Sequence, residues 1–241
     1  MFDPIHIGQE DKLYPSALRR YLADQAPATL AARGNLNLLP RTASVPLIAL
    51  FCSVQCPGSI ILQTYDLART LRDARVTVIS GFHSPMEKEC LNVLLRGTQP
   101  VIVCPARSIE RLRLPTEWKA ALAQDRLLLL SPFAEQFRRT TTKRAHMRNE
   151  FVAALADILL IACAAPGGRL ERFCQDIRGW GKPLLTLESN ENTSLLALGA
   201  RGILPGNIGQ QWKSSTPELL RESLNPVGYR ARDRDVRKNR R

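Results

Sequence analysis

Long apolar runs are missing from this 241-residue chain. None approaches the roughly 20 residues that a bilayer-crossing helix needs. The opening stretch, MFDPIHIGQEDK, lacks the basic-then-apolar order of an export signal. The expected location is therefore cytoplasmic, without membrane association. Histidine is scarce, and His6, His83 and His146 are scattered. The six cysteines, at 52, 56, 90, 104, 163 and 174, lie mostly in apolar contexts such as VIVCP and LLIAC. That is the pattern of buried, reduced thiols. Cys52-x-x-x-Cys56 supplies half of a tetrahedral metal set and no second close pair completes it, so no metal or other cofactor is expected. Acids are also short: 22 against 34 Lys and Arg, a net charge of +12 and a pI near 10.0. Such a balance favours a polyanionic partner, either nucleic acid or an anionic surface. Local sequence spells out no Ser-His-Asp, Cys-His or paired-carboxylate arrangement.

What is present is an alternation. Flat apolar runs (PLIALFCS, VTVISG, PVIVCP, LLLLS, DILLIACA, KPLLTLE) are separated by segments of helical period at 59–73, 85–96, 116–124, 148–156, 169–179 and 193–199. Thr116 is the expected N-cap of its helix. Strands alternating with helices predict an α/β fold with a mostly parallel sheet and helices on both faces. The runs are flat because both sheet faces are covered. Three regions are expected: an N-terminal segment, 1–40, packed on the core; the α/β domain, 41–206; and a polar extension, 207–241. The last twelve residues hold seven bases and two acids. Their apolar content is too low to offset ordering entropy, so a disordered basic tail is expected there.

Ligands of parallel sheets bind beyond the carboxyl ends of the strands. Four stretches fall there. CSVQCPGS (52–59) contains Ser53 and Gln55 in a turn able to present backbone amides, although it matches neither the Gly-x-Gly-x-x-Gly nor the Gly-Lys-Ser/Thr pattern. Gly81-Phe-His-Ser-Pro places His83 and Ser84 at a second end, with Glu87 and Glu89 explained by the following helix dipole. Lys143, Arg144, Arg148 and Asn149 crowd before and at the start of the helix expected from 148. Helix N-termini disfavour cations, so the cluster points to a bound anion, with a solvated basic loop as the alternative. Ala165-Pro-Gly-Gly-Arg repeats the pattern: Gly167 and Gly168 permit close backbone approach, and Arg169 follows at the helix start.

The order of these motifs resembles the DNA-processing protein A family (DprA, also called Smf) over roughly residues 8–205. YPSALRRYLADQAPATLAARGNLNLL resembles the family's run before its first core strand. IALFCSVQCPGS is similar to its Gly-Ser-Arg strand end, and VISGFHSPMEKEC to its Ser-Gly-Leu-Ala-x-Gly-Ile-Asp segment. MRNEFVAALADILLIACA resembles Arg-Asn-Arg-Ile-Ile-Ala-x-Leu-Ser-Asp with its strand. GWGKPLLTLE and NTSLLALGAR resemble two later motifs. The departures are specific. Gly-Ser-Arg is Cys52-Ser53-Val54 here, the second arginine of Arg-Asn-Arg is Glu150, and Gly-Ile-Asp is Pro85-Met86-Glu87. The family's frequent C-terminal winged helix has no counterpart.

The resemblance implies an extended Rossmann-like domain that binds single-stranded DNA without enzymatic activity. It implies self-association, as a homodimer, and delivery of DNA to a RecA-type recombinase. The implied contacts are Ser53, Gln55, Gly81, His83, Ser84, Lys143, Arg144, Arg148, Asn149, Gly167, Gly168 and Arg169. Arg230, Arg232, Arg234, Arg237, Lys238, Arg240 and Arg241 of the tail would add salt-sensitive affinity. Phe82 and Phe133 are candidates for base stacking, or for the core. Two other readings stand beside this one. A nucleotide hydrolase of the related Pro-Gly-Gly-x-Gly-Thr-x-x-Glu type would need a carboxylate where this chain has Cys174. A nucleotide sensor, for example in phage defence, or a degenerate partner protein would need none.

Overall fold

The apolar runs pair edge to edge. In the computed structural model, which describes residues 3–39 and 45–207, nine strands form one sheet. They are β1 (Ile5–Gly8), β2 (Thr29–Gly34), β3 (Leu47–Cys52), β4 (Thr77–Ser80), β5 (Val101–Val103), β6 (Leu127–Ser131), β7 (Ile158–Cys163), β8 (Leu184–Leu187) and β9 (Arg201–Ile203). Their spatial order is β1-β2-β6-β5-β4-β3-β7-β8-β9. All pairings are parallel except β1 with β2 and β2 with β6. The expected fold class holds. Residues before 40 supply β1 and β2, so the N-terminal segment extends the sheet itself.

Successive strand residues feed opposite faces, as the period-2 pleat requires. Ile48 and Leu50 enter one core with Ile60, Leu67 and Leu71 of α2 (Gly58–Asp73), Leu91 and Leu94 of α3 (Pro85–Leu95), and Leu122 of α4 (Thr116–Ala123). Ala49 and Phe51 enter the other. There they meet Leu18 of α1 (Ser16–Leu22), Phe151 and Leu155 of α5 (Thr142–Leu155), Phe173 and Ile177 of α6 (Arg169–Ile177), and Leu195 of α7 (Thr193–Ala197). Each fully buried Leu, Ile or Phe contributes about 1.5–3 kcal/mol by leaving water. Thus the flatness of the runs has its cause: neither face of the central strands is wet.

After β3 the chain builds outward through β4, β5 and β6. It then returns by α5 to place β7 against the other side of β3. The β3–β7 boundary is therefore the topological switch point, where open α/β sheets form their crevice. Asp157 sets the register there: its carboxylate accepts from Leu47 N at 2.9 Å, and its own N–H donates to Leu47 O at 2.8 Å. The register shifts between Phe51 and Cys52, so that Cys52 pairs with Cys163 and Ala162 is the extra residue.

Helix α5 begins at Thr142, six residues earlier than its sequence period suggested. Thr141 caps it, its hydroxyl accepting from Arg144 N at 3.2 Å. At the other end Lys182 Nζ donates to the carbonyls of Ala153, Ala154 and Ala156 at 2.5–2.7 Å and stands 4.0 Å over the Tyr21 ring. These carbonyls are the orphan acceptors of a helix C-terminus. Burial lowers the Lys182 pKa to about 7 against the opposing charge of Asp157, while the carbonyls and the ring supply the contacts that the ammonium lost with water. With both ends tied, α5 is a fixed platform for the basic residues along it.

Candidate functional site

At the switch point the polar groups are largely satisfied by the chain itself. Ser53 N donates to Cys163 O at 2.9 Å, and Ser53 Oγ accepts from Ala165 N at 3.0 Å. The serine thus ties the end of β3 to the end of β7 and keeps its own hydroxyl proton for a further bond. Gln55 is exposed on the same turn. Gly167 has φ +65, in the left-handed region, and its amide donates to the Glu171 carboxylate. Gly168 N donates to Ala165 O at 2.9 Å, and a Cβ on Gly168 would meet that oxygen at 2.7 Å. The Gly-Gly turn expected to offer its amides to phosphate has thus closed on an internal carboxylate and carbonyl.

Three thiols gather at the same boundary. Those of Cys52 and Cys163 are buried beside Cys56, which lies half-buried on the turn and donates its thiol to Pro57 O at 3.8 Å. The neighbouring Cys52 thiol, with a smaller contribution from Cys163 and against the opposing effect of burial, lowers the Cys56 pKa to about 7. Burial and the Cys56 charge push Cys163 up to about 12, and Cys52 is raised too. Among the described residues no three His, Cys, Asp or Glu side chains are arranged to hold a metal ion.

Beside it, the end of β4 is organised by Glu87. Its Oε1 accepts from Cys52 N at 2.9 Å, and its Oε2 accepts from His83 N at 2.7 Å and Ser84 N at 3.3 Å. Ser84 is buried and serves in turn as N-cap of α3, its hydroxyl accepting from Glu87 N. This is a capping box. His83 is exposed at the rim. Phe82 holds φ +45, uncommon for a residue with a Cβ, with its N–H on Ser80 Oγ.

Arg148 lies beneath this turn, only 4% exposed. It sits in the second turn of α5 and was expected at the helix start, among the surface bases. The absence of a Cβ on Gly81 opens its slot: a Cβ there would fall 0.7 Å from Arg148 Nη1. Nη1 donates to Cys104 O at 3.2 Å, whereas Nε has no partner among the described residues. Burial lowers the Arg148 pKa, with Glu87 opposing. The side chain therefore acts from below, as a buried positive charge under the β4 and β5 ends, and is withdrawn from surface contact. Phe82 and Phe133, both 5% exposed, are core residues.

The open part of the edge belongs to α5 and α6. Lys143 and Arg169 are exposed and Arg144 is half-buried. Arg169 Nη1 donates to Thr142 Oγ1 at 3.4 Å, bringing the starts of α5 and α6 together. Arg144 stacks 4.6 Å over the ring of Phe137 and donates to Arg139 O at 2.6 Å. Asn149, half-buried, has an Oδ1 without a partner among the described residues. Phe137 is 37% exposed and is the aromatic that sequence reasoning passed over. No periodicity marks it, since it lies in a connection. Glu87 was readable in part, because Ser84-Pro-Met-Glu87 is a capping-box pattern, but its bond to the neighbouring strand was not. Cys174, standing where a hydrolytic carboxylate would be needed, is buried, which pushes its thiol up to about 12. The seven tail bases lie outside the described residues.

No curated protein matches the chain. Among solved structures, DNA processing protein A of Streptococcus pneumoniae superposes with a TM-score of 0.70 at 18% identity, over 88% of this chain and 74% of that one. DNA processing protein A of Helicobacter pylori, in a structure describing its single-stranded DNA binding mode, superposes with a TM-score of 0.69 at 20% identity, over 88% and 97%. At these identities the likeness is one of fold. The family model of DNA recombination-mediator protein A matches residues 6–170, more than half of the chain. By that match the chain belongs to the DNA recombination-mediator protein A family.

Proposed function

We propose that this protein binds single-stranded DNA along the carboxyl edge of its sheet and acts without catalysis in DNA processing and recombination. The observation that carries the reading is the Arg169–Thr142 bond, which sets Lys143, Arg144 and Arg169 on one edge beside the exposed ring of Phe137. A basic track with an interleaved aromatic suits a flexible strand: cations follow the phosphates and the ring stacks on a base. Duplex DNA, whose bases are already stacked, gains less from such a ring. His83, exposed, and Asn149, whose Oδ1 has no partner among the described residues, are polar groups that suit base or sugar contacts, whereas Ser53 and Gln55 lie on the closed turn at 52–59, off the track. A homodimer, a RecA-type recombinase as recipient and a cytoplasmic location go with this reading, supported by family membership. The basic tail adds affinity without strand preference.

The test is fluorescence anisotropy of labelled single-stranded and duplex DNA across a salt series, using the full chain. One variant replaces the seven tail bases with glutamine, and another carries Lys143→Ala with Arg169→Ala. Single-strand preference is expected to survive tail neutralisation. In the double variant the log–log salt slope is expected to fall by about 1.4, at about 0.7 for each phosphate no longer neutralised. Binding that vanishes with the tail charges, or that ignores strandedness, would overturn the reading.

A further inference from the structure

A second group of cations lies outside the track described above. The loops that follow β5 and β6 enclose a cleft of about 280 Å³, lined by Arg107, Arg111, Arg113 and Arg138 together with Glu110 and Glu135. Glu135 takes Arg111 at 3.0 Å and Arg138 at 3.5 Å, and Glu110 takes His6 at 3.2 Å. Among the described residues Arg107 and Arg113 carry no ion pair. Four guanidiniums thus face two carboxylates around one concavity. Like charges so gathered repel one another, and an anion between them relieves that repulsion.

The walls are fixed before any ligand arrives. Ser131 Oγ donates to Arg107 O at 2.9 Å, and Ser108 N donates to Phe137 O at 2.8 Å, joining the two loops. Arg33 of β2 donates to Leu112 O at 3.4 Å, and Ile109 and Leu114 are buried anchors below. The Ser108–Phe137 bond also connects the cleft to the track. From Phe137 the ring leads to Arg144, the first turn of α5 leads to Thr142, and Thr142 leads to Arg169.

We propose that this arginine cleft is a second phosphate-binding site, which takes the sugar-phosphate backbone of the same strand after it leaves the α5–α6 edge. Guanidinium forks match phosphate oxygens in pairs, and a cleft open to solvent on a preformed wall suits a backbone that passes through. The inference rests on the proposed single-strand binding and adds the direction in which the strand runs, from the β7 end towards β5.

The experiment compares oligothymidylates of about 5 and about 16 nucleotides, within the range of known single-strand site sizes, against the full chain, Arg107→Gln with Arg113→Gln, and Glu135→Gln. The arginine double variant is expected to bind the short strand like the parent, and to lose about tenfold on the long strand with a salt slope lower by about 1.4. Glu135→Gln frees Arg111 and Arg138, and is expected to tighten long-strand binding about threefold. A misfolded variant would not produce that gain. If the parent binds both strands and neither variant changes the long-strand affinity, the cleft is not on the path and the inference falls alone. An equal loss on both lengths also overturns it. If the parent binds neither length, single-strand binding itself falls and the cleft with it.

Discussion

The carboxyl ends of β3, β4 and β7 differ from those of β5 and β6 in how their polar groups are satisfied. At the first, small residues make tight turns and the chain supplies its own partners. Ser53 bonds to Ala165 N, Glu87 to three amides, and Glu171 to Gly167 N. At the second, long cationic side chains stand open around a cleft and an exposed ring. A glycine-rich strand end suggests a backbone cradle for phosphate, as in many nucleotide-binding sheets. In this chain the cradle is filled from within, and the unneutralised charge lies in side chains. Anion recognition is therefore expected to depend on Arg and Lys and to be salt-sensitive and sequence-tolerant.

The largest effect that would break this contrast is on stability. Glu87 is 6% exposed and accepts from three backbone amides drawn from two strand ends, above a buried Arg148. Glu87→Ala leaves those amides and the guanidinium without their buried carboxylate. The expected loss is about 3–5 kcal/mol in urea unfolding, the range for removing one member of a buried charged network. A loss below about 1 kcal/mol would mean that water replaces the carboxylate readily and that this end is open after all.

How far the sequence shows this contrast depends on the range of the signal. Strands β3 to β8 were legible because both of their faces are buried, which leaves unbroken apolar runs. β1 was not: IHIG is four residues on the sheet edge, with Ile5 exposed, and its partner β2 lies twenty residues on. β9 is only three residues long. The start of α5 was misplaced because its first turns, Thr142 to Met147, face solvent and carry no apolar period. Thr116 was expected as a cap, but Pro115 holds the extended cap position and Thr116 begins the helix. Arg148 shows the deeper limit. Its charge suggests a surface, and only the space left by Gly81, far away in the chain, makes room for it inside. The arginine cleft has no local signature either, being assembled from two loops separated by α4 and β6.

A smaller effect sharpens the contrast from the closed side. Glu171 holds the Gly167 amide and adds negative charge at the start of α6, close to Arg169. Glu171→Gln removes that charge and weakens the internal bond. Stability is expected to change by less than about 1 kcal/mol, because the carboxylate is only partly buried. Single-strand affinity is expected to rise about two- to threefold, by the loss of one repulsive charge at the edge. An unchanged affinity would place the strand away from the α6 start and leave Arg169 outside the interface.

The smallest effect concerns the thiols at the switch point. With its pKa lowered to about 7, Cys56 is the half-exposed thiol of the cluster, whereas Cys52 and Cys163 are buried and raised. Alkylation by iodoacetamide is expected first at Cys56, since the thiolate is the nucleophile. Its rate should rise with pH through a midpoint near 7, below the value of about 8.5 for an ordinary cysteine. The two partners should react only on unfolding. Saturating single-stranded DNA is expected to slow the Cys56 reaction less than about twofold, because the track runs past α5 and α6 and not over the closed turn at 52–59. Strong protection would bring the strand across the switch point and would mean that the closed end takes part in binding despite having its amides satisfied.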